Sequence, residues 1–130
     1  LGAQILDLIL DCVQGNLSTS RVNWADDSAI AIVMASIGYP ETYQEGSIIE
    51  DVSAPETVEG VKVFHAGTQI NNGSLKVTGG RILSVNTYGK EKQSAIDLAY
   101  DRISKIKAYT DSDLKSEDDS LVFFRSDIGT

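Results

Sequence analysis

Two short glycine-bearing clusters and a single histidine hold most of the chemical possibility in this sequence. Thr78-Gly79-Gly80-Arg81 places two residues of minimal steric demand before a guanidinium. Consecutive backbone amides at such a turn can form an anion-binding concavity, and arginine adds a forked donor matched to phosphate oxygens. The plainer reading is a turn followed by a surface arginine. His65-Ala66-Gly67-Thr68 ends a strand-like run. There the imidazole either orients a ligand or hydrogen-bonds within its own corner. Nucleophilic chemistry has weaker material. Cys12 and His65 could be paired on paper, but Cys12 sits in a Leu/Ile-rich helical pattern, where packing is expected. There is no Gly-x-Ser-x-Gly elbow and no Gly-x-x-x-x-Gly-Lys loop. One His and one Cys do not make a zinc site. Asp111-x-Asp113 followed by Glu117-Asp118-Asp119 hints at a calcium loop, but Lys115 and Ser116 stand where an oxygen ligand and a glycine belong. The stretch reads as a solvated acidic loop. The expectation is no catalytic residue and no metal ligand in this chain.

Composition narrows the classes. The 130 residues carry 11 basic and 19 acidic side chains, a net charge of −8, with 42% hydrophobic residues. A chain of this mass has a folded surface of about 6,700 Å², enough for one core. The acidic balance argues against sequence-independent nucleic-acid binding and against docking on anionic lipid. The apolar run from Ala29 to Ile37 falls short of the roughly 18 residues of a membrane span. One cysteine permits no internal disulfide, and a reducing, cytoplasmic setting is expected. The chain opens on Leu1 within a helical pattern, which suggests a piece of something longer.

The elements that must position these clusters follow from periodicity. Ile5, Leu6, Ile9, Leu10 and Val13 repeat at helical spacing over Leu1 to Gln14, with Gly15-Asn16 as the stop. A polar connector leads to Ser28 to Ile37, read as a central strand buried on both faces, and Trp24 is expected to cover the hinge. Ser47 to Gly60 reads as an irregular crossing with a short strand near Ile48. Val61 to Ala66, Ser74 to Thr78 and Arg81 to Tyr88 form an antiparallel meander, turning at Asn71-Asn72-Gly73 and at Gly79-Gly80. A helix over Glu91 to Lys107 offers Ile96, Ala99, Tyr100, Ile103 and Ile106 as one apolar stripe to cover the sheet. Leu121 to Phe124 reads as a last strand. The predicted fold class is α+β: a small antiparallel sheet or meander with one covering helix.

Taken together, several blocks resemble the phosphoribosylamine–glycine ligases, also called glycinamide ribonucleotide synthetases. They are Trp24, Ala35-Ser36-x-Gly38-Tyr39-Pro40, Tyr43, Gly46, Val63 to Thr68, Thr78 to Leu83 with Val85, Ala99-Tyr100, and Arg125-x-Asp127-Ile128-Gly129. The resemblance implies the C-terminal segment of an ATP-grasp enzyme of purine biosynthesis. Residues 1–16 would be the terminal helix of the ATP-grasp domain and residues 17–130 the C-terminal domain. It implies a reaction of glycine with 5-phosphoribosylamine through a glycyl phosphate, with ATP and Mg²⁺ or Mn²⁺ bound mainly by residues upstream of this chain. The fragment alone is expected to be inactive. Gly79, Gly80 and Arg81 are implied at the substrate phosphate, with His65, Gly67 and Thr68 lining the same cleft. The implied partners are these small molecules and the upstream domains of the same polypeptide, with neither nucleic acid nor membrane. Two departures stand out: Ile37 replaces a glycine usual in the family, and Lys107 to Val122 is longer and more acidic than the usual link. The alternatives are a non-catalytic packing module, or the C-terminal domain of another ATP-grasp ligase or carboxylase.

Overall fold

The computed structural model describes residues 4–17, 22–52, 57–110 and 121–130. The chain order is helix α1 (Gln4–Gln14), strands β1 (Ser28–Ser36), β2 (Ile48–Glu50), β3 (Val61–His65), β4 (Thr68–Asn71), β5 (Ser74–Val77) and β6 (Arg81–Gly89), helix α2 (Lys92–Ser104), and strands β7 (Lys107–Tyr109) and β8 (Val122–Phe123). The strands form two four-stranded sheets, β3-β6-β1-β8 and β4-β5-β2-β7, with every pairing antiparallel. This is the expected α+β architecture, but not a meander: β5 and β6 lie in different sheets, so Gly79-Gly80 is not a hairpin turn. β4 is a further strand before the Asn72-Gly73 turn, and β7 begins at Lys107, where the helix was expected to end.

The division has a simple origin. β3 pairs with β6, from Val61 opposite Thr87 to His65 opposite Leu83, and β4 pairs with β5, from Thr68 opposite Val77 to Asn71 opposite Ser74. Residues 61–89 are thus one long two-stranded ribbon, closed by the turn at Asn72 and Gly73 (φ 50° and 80°) and bent in the middle. One half joins β1 in the first sheet, and the other joins β2 in the second.

The core lies beneath α2. Ala95, Ile96, Ala99 and Ile103 are its buried residues, packed with Ile32, Met34, Leu83 and Val85 of the first sheet. Burying such side chains contributes about 1.5–3 kcal/mol each. The Thr87 hydroxyl donates to the Ala95 carbonyl at 2.5 Å, tying the first helical turn to β6. Among the described residues, no buried side-chain nitrogen or oxygen lacks a partner. β1 departs from the expectation of burial on both faces. Ile32 and Met34 point inward, while Ala29, Ala31 and Val33 are exposed, Val33 by 47%. A run of alanines among branched residues reads as uniformly apolar, but a helix covers only one side.

Helix α1 stops as its sequence dictates. Gly15 (φ 72°) donates to the Cys12 carbonyl and Asn16 to the Asp11 carbonyl, the paired bonds of a Schellman cap. None of its residues is buried. Ile5, Leu6, Ile9, Leu10 and Val13 are exposed, and so is Cys12, which had been expected to pack. Trp24, expected to cover the hinge, is 76% exposed. The accessible area of 8804 Å² accordingly exceeds the compact-globule expectation.

After β8 the chain closes against α2 through one phenol. The Tyr100 hydroxyl accepts the Ile128 amide at 3.1 Å and lies 3.1 Å and 3.2 Å from the Arg125 and Ile128 carbonyls, to which it can donate. Gly129 (φ 85°) presses against Ile30 and Ile96, where a Cβ would come within 2.9–3.1 Å of their side chains. Arg125 and Asp127 form an exposed fork, with Nε to Oδ1 at 2.8 Å and Nη2 to Oδ2 at 2.5 Å. The arginine's hydrogen bond holds the Asp127 carboxyl below its ordinary range. The pair's small contribution is therefore fully present above the ordinary carboxylate range and is lost only as the pH falls below that range. Tyr100→Phe removes the hydroxyl alone and should destabilise the fold by about 0.5–1.5 kcal/mol, read as a lower urea midpoint at an unchanged slope. An unchanged midpoint would remove Tyr100 as the anchor of the tail.

Candidate functional site

The bend of the ribbon brings the two glycine clusters together. Only Ala66 and Gly67 separate β3 from β4, whereas Thr78, Gly79 and Gly80 separate β5 from β6, and β6 first pairs with β3 at Leu83. The longer side therefore arcs outward around the shorter. The Gly67 amide donates to the Arg81 carbonyl, the Thr78 amide to the Gly67 carbonyl and the Ala66 amide to the Ile82 carbonyl, each at 2.9 Å. A Cβ at Gly67 would lie 2.8 Å from the Gly79 Cα and from the Arg81 carbonyl oxygen. The backbones can approach this closely because the side chain is missing.

The outer side of the arc is held by the end of β1. The Ser36 amide donates to the Gly80 carbonyl at 2.8 Å, and the Ser36 hydroxyl donates to the Gly79 carbonyl at 3.2 Å. Ser36 is 2% exposed. Beyond it, the turn at Gly38 (φ 89°) lays the Tyr39 ring on Gly80. A Cβ there would fall 2.0 Å from the ring. Neither Gly79 nor Gly80 has a positive φ. Contact rather than conformation favours glycine here: Gly80 lies beneath the Tyr39 ring, and Gly79 sits more loosely beside Gly67. The sequence offered no local sign of this, since Ser36 and Gly79 are 43 residues apart.

Orientation follows from peptide planarity. Two consecutive carbonyls converge on Ser36, so the amides of the following residues, Gly80 and Arg81, are directed away from β1 and toward the β3 side of the ribbon. Arg81 is exposed and makes no ion pair with any described residue. At the other corner, His65 Nδ1 lies 3.0 Å from the Thr68 hydroxyl. All six expected residues (His65, Gly67, Thr68, Gly79, Gly80 and Arg81) thus lie at or beside one bend. A shallow cavity of about 290 Å³ adjoins it on the flank of the β4–β5 hairpin, lined by Glu45, Gln69, Asn71, Lys76 and Thr78 among others. Thr78 belongs to both.

Some expectations fall elsewhere. Cys12 is on α1, apart from His65 and the bend. Ile37, which replaces a usual glycine, is 52% exposed, and its amide donates to the Leu121 carbonyl. The acidic stretch from Asp111 to Asp119, with its calcium-like spacing, lies outside the described residues. Among the described residues, no group of three or more His, Cys, Asp or Glu side chains is placed to hold a metal ion, and no helix is long and apolar enough to cross a membrane.

A bent ribbon spanning two antiparallel sheets, covered by one helix and carrying a glycine–arginine arc at its bend, defines the class as a small α+β domain. The family described as "Phosphoribosylglycinamide synthetase, C domain" matches residues 29–130, and the chain belongs to that family. It is 42% identical over 108 residues to a chloroplastic phosphoribosylamine–glycine ligase of Arabidopsis thaliana, covering 82% of this chain and 20% of the plant protein. It is 34% identical over 129 residues to the phosphoribosylamine–glycine ligase of Brucella melitensis, covering 99% of this chain and 28% of that protein. The crystal structure of the phosphoribosylamine–glycine ligase of Thermotoga maritima superposes with a TM-score of 0.72 at 26% identity, over 96% of this chain and 27% of the other. The chain therefore spans between a fifth and a third of these relatives' lengths.

The bend separates two glycines by their contacts. Gly67→Ala drives a methyl into rigid backbone and should cost about 1–3 kcal/mol. Gly79→Ala meets only the Gly67 Cα, at 3.3 Å, and should cost visibly less. Paired urea titrations of the two variants check the order, and equal losses would refute the close-approach account.

Proposed function

We propose that the polypeptide containing this chain joins glycine to 5-phosphoribosylamine, and that this chain forms the wall receiving the substrate's 5-phosphate. One observation carries the second part: Ser36 holds the Gly79 and Gly80 carbonyls, and an exposed guanidinium with no ion pair to a described residue, that of Arg81, follows directly. A phosphate accepts from such a guanidinium without needing a metal ligand from this chain. His65, Gly67 and Thr68 form the adjoining corner and are assigned to the lining of the same cleft.

When bound, ATP and its Mg²⁺ or Mn²⁺ supply the phosphoryl group that makes the glycine carboxylate electrophilic enough for attack by the amine of phosphoribosylamine. Following the resemblance to the family, we assign nucleotide and metal to the part of the polypeptide upstream of this chain. What this chain contributes is position. Holding the 5-phosphate fixes the ribose and the orientation of its amine, which converts a chance encounter into a defined approach. In the same reading, residues 1–16 are the closing helix of an ATP-grasp domain and residues 17–130 the C-terminal domain. The exposed apolar stripe of α1, from Ile5 to Val13, supports a partner within the same polypeptide. It also supports a second reading in which this chain serves mainly to pack against that partner. A cytoplasmic setting is supported by the acidic composition and single cysteine.

The full-length polypeptide should release ADP only when glycine and phosphoribosylamine are both present with ATP and Mg²⁺. In it, Arg81→Ala should raise the KM for phosphoribosylamine about 10- to 150-fold, the loss of one charge-assisted contact of ~1.5–3 kcal/mol. The constants for ATP and glycine should stay within two-fold. A change below two-fold for phosphoribosylamine would remove Arg81 from the site and favour the packing reading.

A further inference from the structure

We propose that Tyr39, acting with Ser36, is a positioning residue for substrate phosphate. It touches no substrate itself; its ring and the Ser36 hydrogen bonds hold the Gly79–Gly80 arc and so fix the direction in which Arg81 leaves it. The inference rests on the phosphate reading above and names the element that sets its geometry.

The arc needs an external support. It contains the extra residues of an uneven bend, opposite only Ala66 and Gly67, so ladder pairing alone does not determine its path. Gly79 and Gly80 have the widest conformational freedom of any residue type, and a two-glycine segment left to itself would sample many orientations. Each would launch Arg81 in a different direction.

Two restraints select one of them, and both come from the end of β1. Ser36, 2% exposed, binds both glycine carbonyls, through its amide at 2.8 Å and its hydroxyl at 3.2 Å. Tyr39 fills the space where a Gly80 side chain would be, with Cδ2 and Cε2 only 2.0 Å and 2.5 Å from that Cβ position. The Tyr39 ring is itself braced. Its amide donates to the Ser36 carbonyl at 3.1 Å, tying ring and serine into one turn. The turn continues through Gly38 (φ 89°), where a Cβ would fall 2.1 Å from the Thr42 carbonyl oxygen, and the Tyr43 ring packs at 6.1 Å. The contacts to Gly80 use ring carbons, so the aromatic plane is the working part of Tyr39.

The test uses the full-length polypeptide and initial rates against phosphoribosylamine, ATP and glycine in turn. Tyr39→Ala should raise the KM for phosphoribosylamine by about ten-fold, leaving the ATP and glycine constants within two-fold. Tyr39→Phe, which keeps the ring, should restore the wild-type value. Gly80→Ala should be harmful in the wild-type background. Combined with Tyr39→Ala it should do less than the product of the two single effects, because the added methyl then occupies the vacated ring space. Arg81→Ala, measured alongside, separates the two levels of the argument. A selective effect of Arg81→Ala with none from Tyr39→Ala overturns the positioning role and keeps the phosphate site. No effect of Arg81→Ala overturns both. A uniform shift of all three constants in Tyr39→Ala, matched by a fall in melting temperature, makes Tyr39 a general stabiliser and overturns the proposal.

Discussion

The close approach of Gly67 to Gly79 is the contact on which the architecture turns. A two-stranded ribbon as long as residues 61–89 would ordinarily remain in one sheet, because each ladder bond favours continuing the last. Here the backbone bends hard enough to feed its halves into two sheets. A bend of that sharpness needs two chains nearly in contact, and the 2.8 Å that a Gly67 Cβ would leave to the Gly79 Cα shows how little room there is. A larger residue at 67 would strain the crossing through which β5 reaches β2.

The same contact creates the candidate site as a by-product of geometry. Because one side of the bend is longer, the surplus backbone bulges toward the end of β1, where Ser36 captures its carbonyls. Fold and function make compatible demands here. Glycine at 79 and 80 serves packing, and the path that packing imposes leads directly into Arg81, whose side chain is exposed. A glycine-rich turn before an arginine is therefore no evidence of ligand binding by itself. What gives it weight is that its carbonyls are already engaged.

The rest of the molecule holds the two sheets steady around that corner. α2 covers the inward face of β1 and β6, and its Tyr100 gathers the chain end beside Ile30 and Ile96. The opposite face of β1 and the apolar stripe of α1, from Ile5 to Val13, remain uncovered among the described residues. That pattern accords with a chain spanning 20–28% of the relatives' lengths described above.

The sequence by itself determined what depends on local spacing and local conformational freedom. The α2 stripe of Ile96, Ala99 and Ile103, the Gly15 cap of α1 and the Asn72-Gly73 turn are all written within a few residues, because helix periodicity, capping and positive φ are short-range properties. The six candidate residues were legible as types, and through their resemblance to a family. Their arrangement was not legible. Whether β1 is covered on one face or two depends on where a helix 60 residues later comes to rest, and alanine carries no preference between the alternatives. The burial expected for Cys12 and Trp24 failed for the same reason, since apolar spacing shows a face without showing what covers it. Most of all, the pairing of Ser36 with Gly79 and of Tyr39 with Gly80 joins segments some 40 residues apart. Only the tertiary structure could decide it, because a glycine needed for another chain's approach looks in sequence like a glycine needed for its own turn.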